Sequence, residues 1–260
     1  MPTILIVEAT PAALIAQGRF DFAACFRPVL QTLDPGLSLH RTNPYDLPWC
    51  NDLVAKADGV IFAGSSVDWS VDAPQAAPAR AAMEAVFAAG KPVWGSCNGL
   101  QLAAVVLGGA VGSSVNGTEV GLARDIRMTA AGQRHPMLAG LRDGYAAPCI
   151  HRDEVTRLPE AAVLLAGNAH SPVQAMVYEH HGVDFWGTQY HPEICVEQMA
   201  RCLSSSGTEP DLMTALASCE TDKTVAQSHG IEPVAQPVLE PAAELANWLG
   251  HLSGHGVVAL

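Results

Sequence analysis

The chain has 260 residues, of which 49% are hydrophobic and only 15% are charged. This composition excludes an intrinsically disordered protein, and the length allows one large domain or two small ones. The 14 basic and 26 acidic residues give a net charge of −12. An acidic protein whose few basic residues are scattered is repelled by phosphate backbones, so we expect no nucleic-acid partner.

No apolar run reaches the roughly 18 residues that a membrane helix requires, and the N-terminus lacks the basic stretch of a signal peptide. The seven cysteines are an odd number without a Cys-x-x-Cys pair. Such a set is typical of free thiols in a reducing compartment. We therefore expect a cytoplasmic protein that has no membrane partner.

Apolar segments alternate with helical patterns through the first part of the chain. Short apolar runs predict parallel strands at residues 4–7, 37–40, 59–64 and 92–95. Apolar residues at helical spacing predict helices at residues 22–33, 79–87 and 98–107. This alternation predicts an α/β fold with a doubly wound, mostly parallel sheet.

From residue 111 onwards, β-like pieces follow one another at residues 120–128, 147–150, 162–166, 173–178 and 184–189. They predict further strands, partly antiparallel, as a small addition to the sheet, and a helix is expected over 196–204. The chain then changes character, because a Ser-rich segment and four prolines follow. We expect a main domain over 1–205 and a C-terminal extension over 206–260.

The extension has one helical pattern, with apolar residues at Leu245, Trp248, Leu249 and Leu252. Their spacing predicts an amphipathic helix. Such a helix buries its apolar face, so we expect the extension to be partly helical and docked on the main domain. A partner-binding tail is the alternative.

The strongest local signal is the segment Gly95-Ser96-Cys97-Asn98-Gly99, which lies between a predicted strand and a predicted helix. Glycines on both sides of a nucleophile permit a sharp strand-to-helix turn. That turn would expose the Cys97 sulfur at a helix N-terminus, where the dipole and free amides stabilise a thiolate. The alternative is that Cys97 is a small buried residue and the glycines only allow close packing.

A second signal is Gln189-Tyr190-His191-Pro192-Glu193, which follows a predicted strand. Residues two apart in an extended segment point to the same side, so Glu193 can orient the His191 imidazole. The alternative is an exposed loop in which the two residues meet by chance. Together the two signals indicate nucleophilic catalysis by Cys97, His191 and Glu193.

With both motifs considered, residues 3–205 resemble the class I, triad-type glutamine amidotransferase domain. Residues 92–101 and Gly108-Gly109 match its nucleophile elbow and the turn that follows, and residues 187–193 match its His–Glu segment. Residues 150–155 look like a stretch found in GMP synthetases, which are the nearest subgroup. The resemblance implies a flavodoxin-like fold and no cofactor.

The resemblance also implies a reaction. Cys97 attacks the γ-carbonyl of a γ-glutamyl amide, His191 moves the proton, and a γ-glutamyl thioester forms and is hydrolysed by water. The oxyanion would be bound by backbone N–H groups of Asn98 and of the loop at Gly64 and Ser65.

Substrate binding is implied for three side chains that the same family motifs cover: Gln101, His151 and Asp153. The neighbouring pair Asp153 and Glu154 is read as a solvated turn rather than as an acid/base pair. No metal site is expected, because the histidines lack metal-ligand spacing.

Three departures from the family pattern bear on the substrate. Gly64-Ser65-Ser66 stands where the family has Gly-Gly-Pro, so Ser65 would be strained if its φ were positive. Ile150 and Arg152 replace a usual serine and glycine. The loop over residues 9–21 is long, and loops at this edge of a parallel sheet border the ligand.

The expected function is therefore that of an enzyme acting on a small-molecule γ-glutamyl amide. A stand-alone γ-glutamyl amide hydrolase is favoured, and a glutaminase subunit that delivers ammonia to a synthetase partner is the main alternative. A catalytically silent binding module on the same fold is a further alternative. An α/β-hydrolase with a cysteine elbow is disfavoured, because its acid precedes its histidine in the chain.

Overall fold

The computed structural model describes residues 2–195, 198–199, 201–203, 224 and 242–254. Within these ranges the helices are α1 (Ala12–Ala16), α2 (Phe22–Leu33), α3 (Asn51–Lys56), α4 (Ala77–Ala88), α5 (Asn98–Val106) and α6 (Ala243–Leu252). The strands are β1 (Thr3–Val7), β2 (Ser38–Thr42), β3 (Gly59–Phe62), β4 (Val93–Ser96), β5 (Ala110–Ser113), β6 (Glu119–Met128), β7 (Tyr145–His151), β8 (Asp153–Arg157), β9 (Val163–Gly167), β10 (Ala175–His180) and β11 (Val183–Thr188).

Nine strands form one sheet in the order β2-β1-β3-β4-β11-β10-β9-β6-β7, and β5 pairs with β8 in a separate antiparallel sheet. The pairs from β2 to β11 are parallel, whereas the pairs beyond β11 are antiparallel. The predicted mostly parallel α/β fold is confirmed. The carboxyl ends of β1, β3, β4 and β11 meet at one edge, where loops of such sheets bind ligands.

Both faces of the sheet are covered, as a doubly wound fold requires. Along β1, Ile4 and Ile6 belong to one buried apolar cluster and Leu5 and Val7 to the other. The side chains alternate because successive residues of a strand point to opposite faces. Helix α2 lies on the first face, while α4 and α5 contribute to the second.

The C-terminal helix α6 lies on the same face as α2. Leu245 and Trp248 are fully buried there, and the Trp248 ring centroid is 6.3 Å from that of Trp94. The Asn247 amide donates to the carbonyls of Met137 and Ala139 at 3.1 and 2.9 Å. The helix predicted from the apolar spacing is thus present and packed on the sheet.

Part of the predicted C-terminal organisation lies outside the described residues. Of the helix expected over 196–204, residues 198–199 and 201–203 are described and are helical. Residues 204–223 and 225–241 are outside the described ranges, so the boundary at 205 stays a prediction. None of the helices within the described ranges combines the length and apolarity needed to cross a bilayer.

Strand β8 lies where the sequence predicts a solvated turn. Asp153 and Glu154 do not form a solvated turn: they begin β8, and their exposed fractions are only 7% and 6%. The strand was missed because β8 has no apolar run and exists through its pairing with β5. Ser171 satisfies the buried Glu154 carboxylate by donating its hydroxyl proton to it.

Gly99 determines how closely α5 approaches β3. A Cβ at Gly99 would overlap the backbone carbonyl of Phe62, whereas a Cβ at Gly112 would meet only a Thr156 methyl at 3.5 Å. We predict that Gly99→Ala lowers the free energy of unfolding by at least about 2 kcal/mol, because backbone must move. Urea denaturation of Gly99→Ala and of the control Gly112→Ala measures it. Equal stability of the two variants would contradict the prediction.

Candidate active site

Cys97 lies at a strained turn between β4 and α5. Its φ is +50°, a backbone conformation that residues other than glycine rarely adopt. Two hydrogen bonds hold this backbone: the Cys97 N–H donates to the Thr188 carbonyl at 2.7 Å, and the Gln101 N–H donates to the Cys97 carbonyl at 3.0 Å. The turn presents the sulfur at the N-terminus of α5, as the sequence predicts.

The flanking glycines also serve close packing, which was the alternative explanation for this motif. A Cβ at Gly95 would lie 2.8 Å from the backbone of Gly99 and from the Phe185 ring. The two explanations are therefore compatible, because the same glycines allow both the turn and the contact between strand and helix.

His191 and Glu193 form a hydrogen-bonded pair that is completely buried. The distance from His191 Nδ1 to Glu193 Oε1 is 2.7 Å, and both side chains are 0% exposed. The expected extended segment is instead a turn, in which the Ile194 N–H donates to the His191 carbonyl at 3.2 Å. The His191 and Glu193 side chains meet across this turn. The expected contact is therefore present, although the backbone between the two residues is not extended.

A short relay of hydrogen bonds holds the Glu193 carboxylate. Its Oε2 accepts a hydrogen bond from the Ser96 hydroxyl at 2.9 Å, and the Ser96 oxygen accepts one from Trp94 Nε1 at 2.9 Å. Because Ser96 directly precedes Cys97, the end of strand β4 contacts Glu193 and also carries Cys97. Both carboxylate oxygens of Glu193 are therefore satisfied, which a buried charge requires.

The imidazole of His191 lies beside the Cys97 sulfur. Burial alone lowers the pKa of His191, but the Glu193 charge and the interactions with Cys97 raise it to about 10. Nδ1 is engaged with Glu193, and Nε2 has no partner of hydrogen-bond geometry within the described ranges. Nε2 is thus the nitrogen that is free to exchange a proton with the thiol.

Two residues from earlier in the chain, at the start of α2 and after β3, confine this ring. The Phe22 ring stacks on it with centroids 4.8 Å apart and planes inclined by 19°. On another side, a Cβ at Gly64 would lie 2.7 Å from His191 Cε1. Glycine at 64 therefore leaves the space that the imidazole occupies.

The backbone donors expected for an oxyanion lie on two elements. The N–H of Asn98 belongs to the first turn of α5, which has no preceding helical carbonyl. The strain considered for Ser65 is absent, because its φ is not positive. Its hydroxyl donates to the Ala9 carbonyl at 2.7 Å, and its own N–H has no acceptor among the described residues.

Gln101 connects the nucleophile to β8. Its side-chain amide donates to the Asp153 carbonyl and to Gln189 Oε1, the latter at 3.2 Å. The Gln189 amide in turn lies 3.5 Å from the Cys97 sulfur. The structure therefore brings Gln101 and the Asp153 backbone next to the nucleophile. Their contact with a substrate stays a prediction.

His151 and the Asp153 carboxylate are already engaged with protein groups. His151 Nε2 lies 2.8 Å from Glu119 Oε2. The Asp153 carboxylate accepts hydrogen bonds from Arg152 at 2.9 and 2.8 Å and from Ser113 at 2.9 Å. Arg152 and Ser113 lower the pKa of Asp153. A direct role of these two side chains in substrate binding also stays a prediction.

Sequence reasoning missed a buried polar cluster around Glu119. This carboxylate also accepts hydrogen bonds from Asn168 and Gln174, each at 2.7 Å. Burial raises the pKa of Glu119, but the hydrogen bonds from His151 and Asn168 outweigh burial and lower it. The residues come from separate strands and loops, so no sequence motif connects them.

The long loop after β1 is held at both ends by a buried carboxyl group. Glu8 accepts hydrogen bonds from the N–H groups of Thr10 at 2.6 Å and Ala23 at 3.1 Å. Burial and the nearby Asp21 raise the pKa of Glu8 to about 7. Arg41 lies closer to Asp21 than to Glu8, at 2.8 against 3.3 Å. The loop is thus fixed beside the ring of His191.

Charged side chains join three segments of the chain that lie between or after strands. Arg19 contacts the Asp68 carboxylate at 2.6 Å and the Ser66 carbonyl at 3.2 Å. Arg152 donates to the Asp68 carbonyl at 3.1 Å from the opposite side. Cys97 itself is only 7% exposed. We call Arg19, Asp68 and Arg152 the charged bridge.

No three His, Cys, Asp or Glu side chains of the described part are arranged to hold a metal ion. The described cysteines are all free thiols.

The sequence of this chain is similar to those of several known proteins. The sequence model of the class-I glutamine amidotransferase family matches residues 42–205, more than half of the chain. A gamma-glutamyl-L-1-hydroxyisopropylamide hydrolase from a Pseudomonas species is 31% identical over 214 residues, which cover 75% of this chain and 72% of that protein. A GMP synthase from Thiobacillus denitrificans is 36% identical over 147 residues, which cover 52% of this chain and 25% of the synthase.

Solved structures have the same fold. A glutamine amidotransferase from Thermotoga maritima superimposes with a TM-score of 0.65 at 16% identity and covers 96% of this chain and 97% of its own. A glutamine amidotransferase from Methylobacillus flagellatus has a TM-score of 0.62 at 20% identity, with coverage of 100% and 97%. At these identities the superpositions establish the fold alone.

The strain at Cys97 predicts an effect of substitution on stability. Cys97→Gly and Cys97→Ala both lack the sulfur, but only glycine adopts a positive φ without steric cost. We expect Cys97→Gly to be more stable than Cys97→Ala by about 1 kcal/mol, after the entropic cost of glycine is subtracted. Chemical denaturation of both variants tests this. A glycine variant that is less stable than the alanine variant would show that the turn is unstrained.

Proposed function

This chain is an enzyme of the class-I glutamine amidotransferase family, and from that premise we propose that it hydrolyses γ-glutamyl amides through a thioester on Cys97. The observation that carries the proposal is the buried His191–Glu193 pair beside a cysteine at a strained helix start. The similarity to a γ-glutamyl amide hydrolase supports this class of substrate.

In the proposed reaction, Nε2 of His191 holds the proton of the Cys97 thiol, because its raised pKa favours the imidazolium, and the Cys97 thiolate attacks the γ-carbonyl carbon. The tetrahedral oxyanion accepts hydrogen bonds from the N–H groups of Asn98 and Ser65. His191 then returns the proton to the departing nitrogen as the C–N bond breaks. Water, deprotonated by His191, hydrolyses the thioester and restores the thiol.

Family membership rules out the α/β-hydrolase alternative and leaves the catalytically silent module without support. Two roles remain. We propose the stand-alone hydrolase, because the similarity to the Pseudomonas hydrolase extends over about three quarters of both chains. The glutaminase-subunit alternative is favoured by the GMP synthase similarity, which is confined to about a quarter of the synthase. The free thiols agree with the proposed cytoplasmic location.

Replacement of the nucleophile tests the reaction. We predict that Cys97→Ala lowers kcat/KM for γ-glutamyl amides by about 10⁴-fold or more while folding is retained. His191→Asn should have a comparable effect, because it removes the base. Glutamate release is measured, with substitution of the exposed Cys50 by alanine as the control. Turnover by Cys97→Ala close to that of the wild type would show that another residue is the nucleophile.

A substrate panel separates the two roles. The panel contains glutamine, γ-glutamyl-isopropylamide and γ-glutamyl amides of longer amines, each assayed with the chain alone. Turnover of the substituted amides supports the stand-alone hydrolase. Ammonia release from glutamine that requires an added synthetase would favour the subunit role instead.

The charged bridge predicts a residue that affects selectivity. Arg152 directly precedes β8 and donates to the Asp68 carbonyl, so we expect its removal to widen the entrance to Cys97. We predict that Arg152→Ala changes the ratio of kcat/KM for bulky amides to that for glutamine several-fold, in favour of the bulky amides.

Arg157→Ala is the matched control, because Arg157 ends β8, which begins directly after Arg152, and its side chain donates to the carbonyls of Gly108 and Gly109. If both variants keep the selectivity of the wild type, the charged bridge does not limit the amine portion of the substrate.

A further inference from the structure

Helix α6 places a carboxyl group behind the proposed triad. Glu244 is 2% exposed and accepts a hydrogen bond from the Tyr190 hydroxyl at 2.6 Å. Tyr190 is fully buried, directly precedes His191, and its hydroxyl lies 2.7 Å from that of Tyr145. The second carboxylate oxygen of Glu244 has no hydrogen-bond partner among the described residues. A residue outside the family-matched region thus reaches the turn that carries the imidazole.

The docking of α6 does not account for this carboxyl group. Leu245 and Trp248 already bury apolar surface, and Asn247 makes the hydrogen bonds that fix the helix. A buried carboxylate that lacks full hydrogen bonding is destabilising, whereas an apolar side chain of similar volume would pack without this cost. An ionisable group kept under these conditions next to a reactive centre indicates a functional role.

The same helix supports the acidic member of the triad by a second route. Trp248 packs beside Trp94, which donates its indole N–H to Ser96. The Ser96 hydroxyl in turn donates to Glu193. Helix α6 therefore contacts the supports of both partners of the buried hydrogen bond.

We propose that Glu244 is a positioning residue of the active site: its bond to Tyr190 fixes the turn that carries His191, and its negative charge stabilises the imidazolium that forms when His191 takes the Cys97 proton. This inference rests on the proposed function, because it uses the same triad. Glu244 does not touch the reacting atoms, because Tyr190 lies between it and His191. It therefore acts through the Tyr190 hydrogen bond and through its own charge.

The charge of Glu244 changes near neutral pH. Burial raises the pKa of Glu244 to about 7, the bond from Tyr190 lowers it, and the Glu193 charge raises it further. The other titratable groups that face it are Tyr190 and Tyr145, and burial holds the pKa of each phenol well above its usual range. Glu244 is therefore mostly neutral at pH 6 and mostly charged at pH 8. We therefore expect the alkylation rate of Cys97 to show a step over that interval, because only the charged carboxylate stabilises the imidazolium.

The test measures Cys97 directly and needs no substrate. The folded wild-type chain and the Glu244→Gln variant are alkylated with iodoacetamide between pH 5.5 and 8.5. Mass spectrometry of the peptide that contains Cys97 gives the alkylation rate. The glutamine side chain still accepts the Tyr190 hydrogen bond but cannot ionise. For Glu244→Gln we expect an alkylation rate about 3- to 10-fold below that of the wild type at pH 8 and within 2-fold of it at pH 6. The step in the rate near pH 7 should therefore be lost.

Two further variants separate the charge from helix docking. Asn247→Ala removes the hydrogen bonds of the same helix to Met137 and Ala139, so it lowers the melting temperature but keeps the step near pH 7. Tyr190→Phe removes the bond that lowers the Glu244 pKa, so the step moves to higher pH. If Glu244→Gln fails to fold, the position of the step in Tyr190→Phe still tests the proposal.

The results that would contradict each proposal are distinguishable. Identical pH profiles of the wild type and Glu244→Gln, or an unmoved step in Tyr190→Phe, would overturn the inference. The same step loss in Asn247→Ala would also overturn it, because docking alone would then explain the effect. A wild-type Cys97 that is not alkylated at any pH, in a chain that hydrolyses no γ-glutamyl amide, would instead contradict the proposed function.

Discussion

The hydrogen bond between His191 and Glu193 is the interaction on which the rest of the site depends. It is 2.7 Å long and completely shielded from water. A charged pair in such an environment is stable only when its remaining polar atoms are also satisfied. Ser96 and Trp94 meet that requirement for the carboxylate. Nε2 of His191, which has no hydrogen-bond partner among the described residues, is the atom that we propose exchanges a proton with the thiol.

The parallel sheet places the nucleophile within reach of this pair. Strands β4 and β11 are neighbours, so the residues that follow them emerge at the same carboxyl edge. The N–H of Cys97 donates to the carbonyl of Thr188 across this junction. Backbone pairing thus brings together the two segments that carry the sulfur and the imidazole. The positive φ of Cys97 persists because hydrogen bonds on both sides hold it.

Segments outside the family-matched residues 42–205 enclose the site from two directions. On one side, the loop fixed by Glu8 leads into Phe22, which covers the imidazole. On the other side, α6 supports Tyr190 through Glu244. Both Glu8 and Glu244 have a pKa raised to about 7 by burial. Two buried carboxyl groups with raised pKa values thus lie in the segments that surround the proposed triad.

The sequence by itself determined most of the strands, the main helices, the candidate nucleophile and the His–Glu segment, because side-chain periodicity and turn chemistry act over a few neighbouring residues. Only the tertiary structure decided that the His191–Glu193 contact crosses a turn, that Asp153 and Glu154 are buried in a strand, and that Ser65 is unstrained. It also decided the hydrogen bonds from Glu119 to His151 and from Tyr190 to Glu244. These partners lie 32 and 54 residues apart. No local pattern encodes such contacts, because they exist only once the sheet has assembled and water has been excluded from its faces.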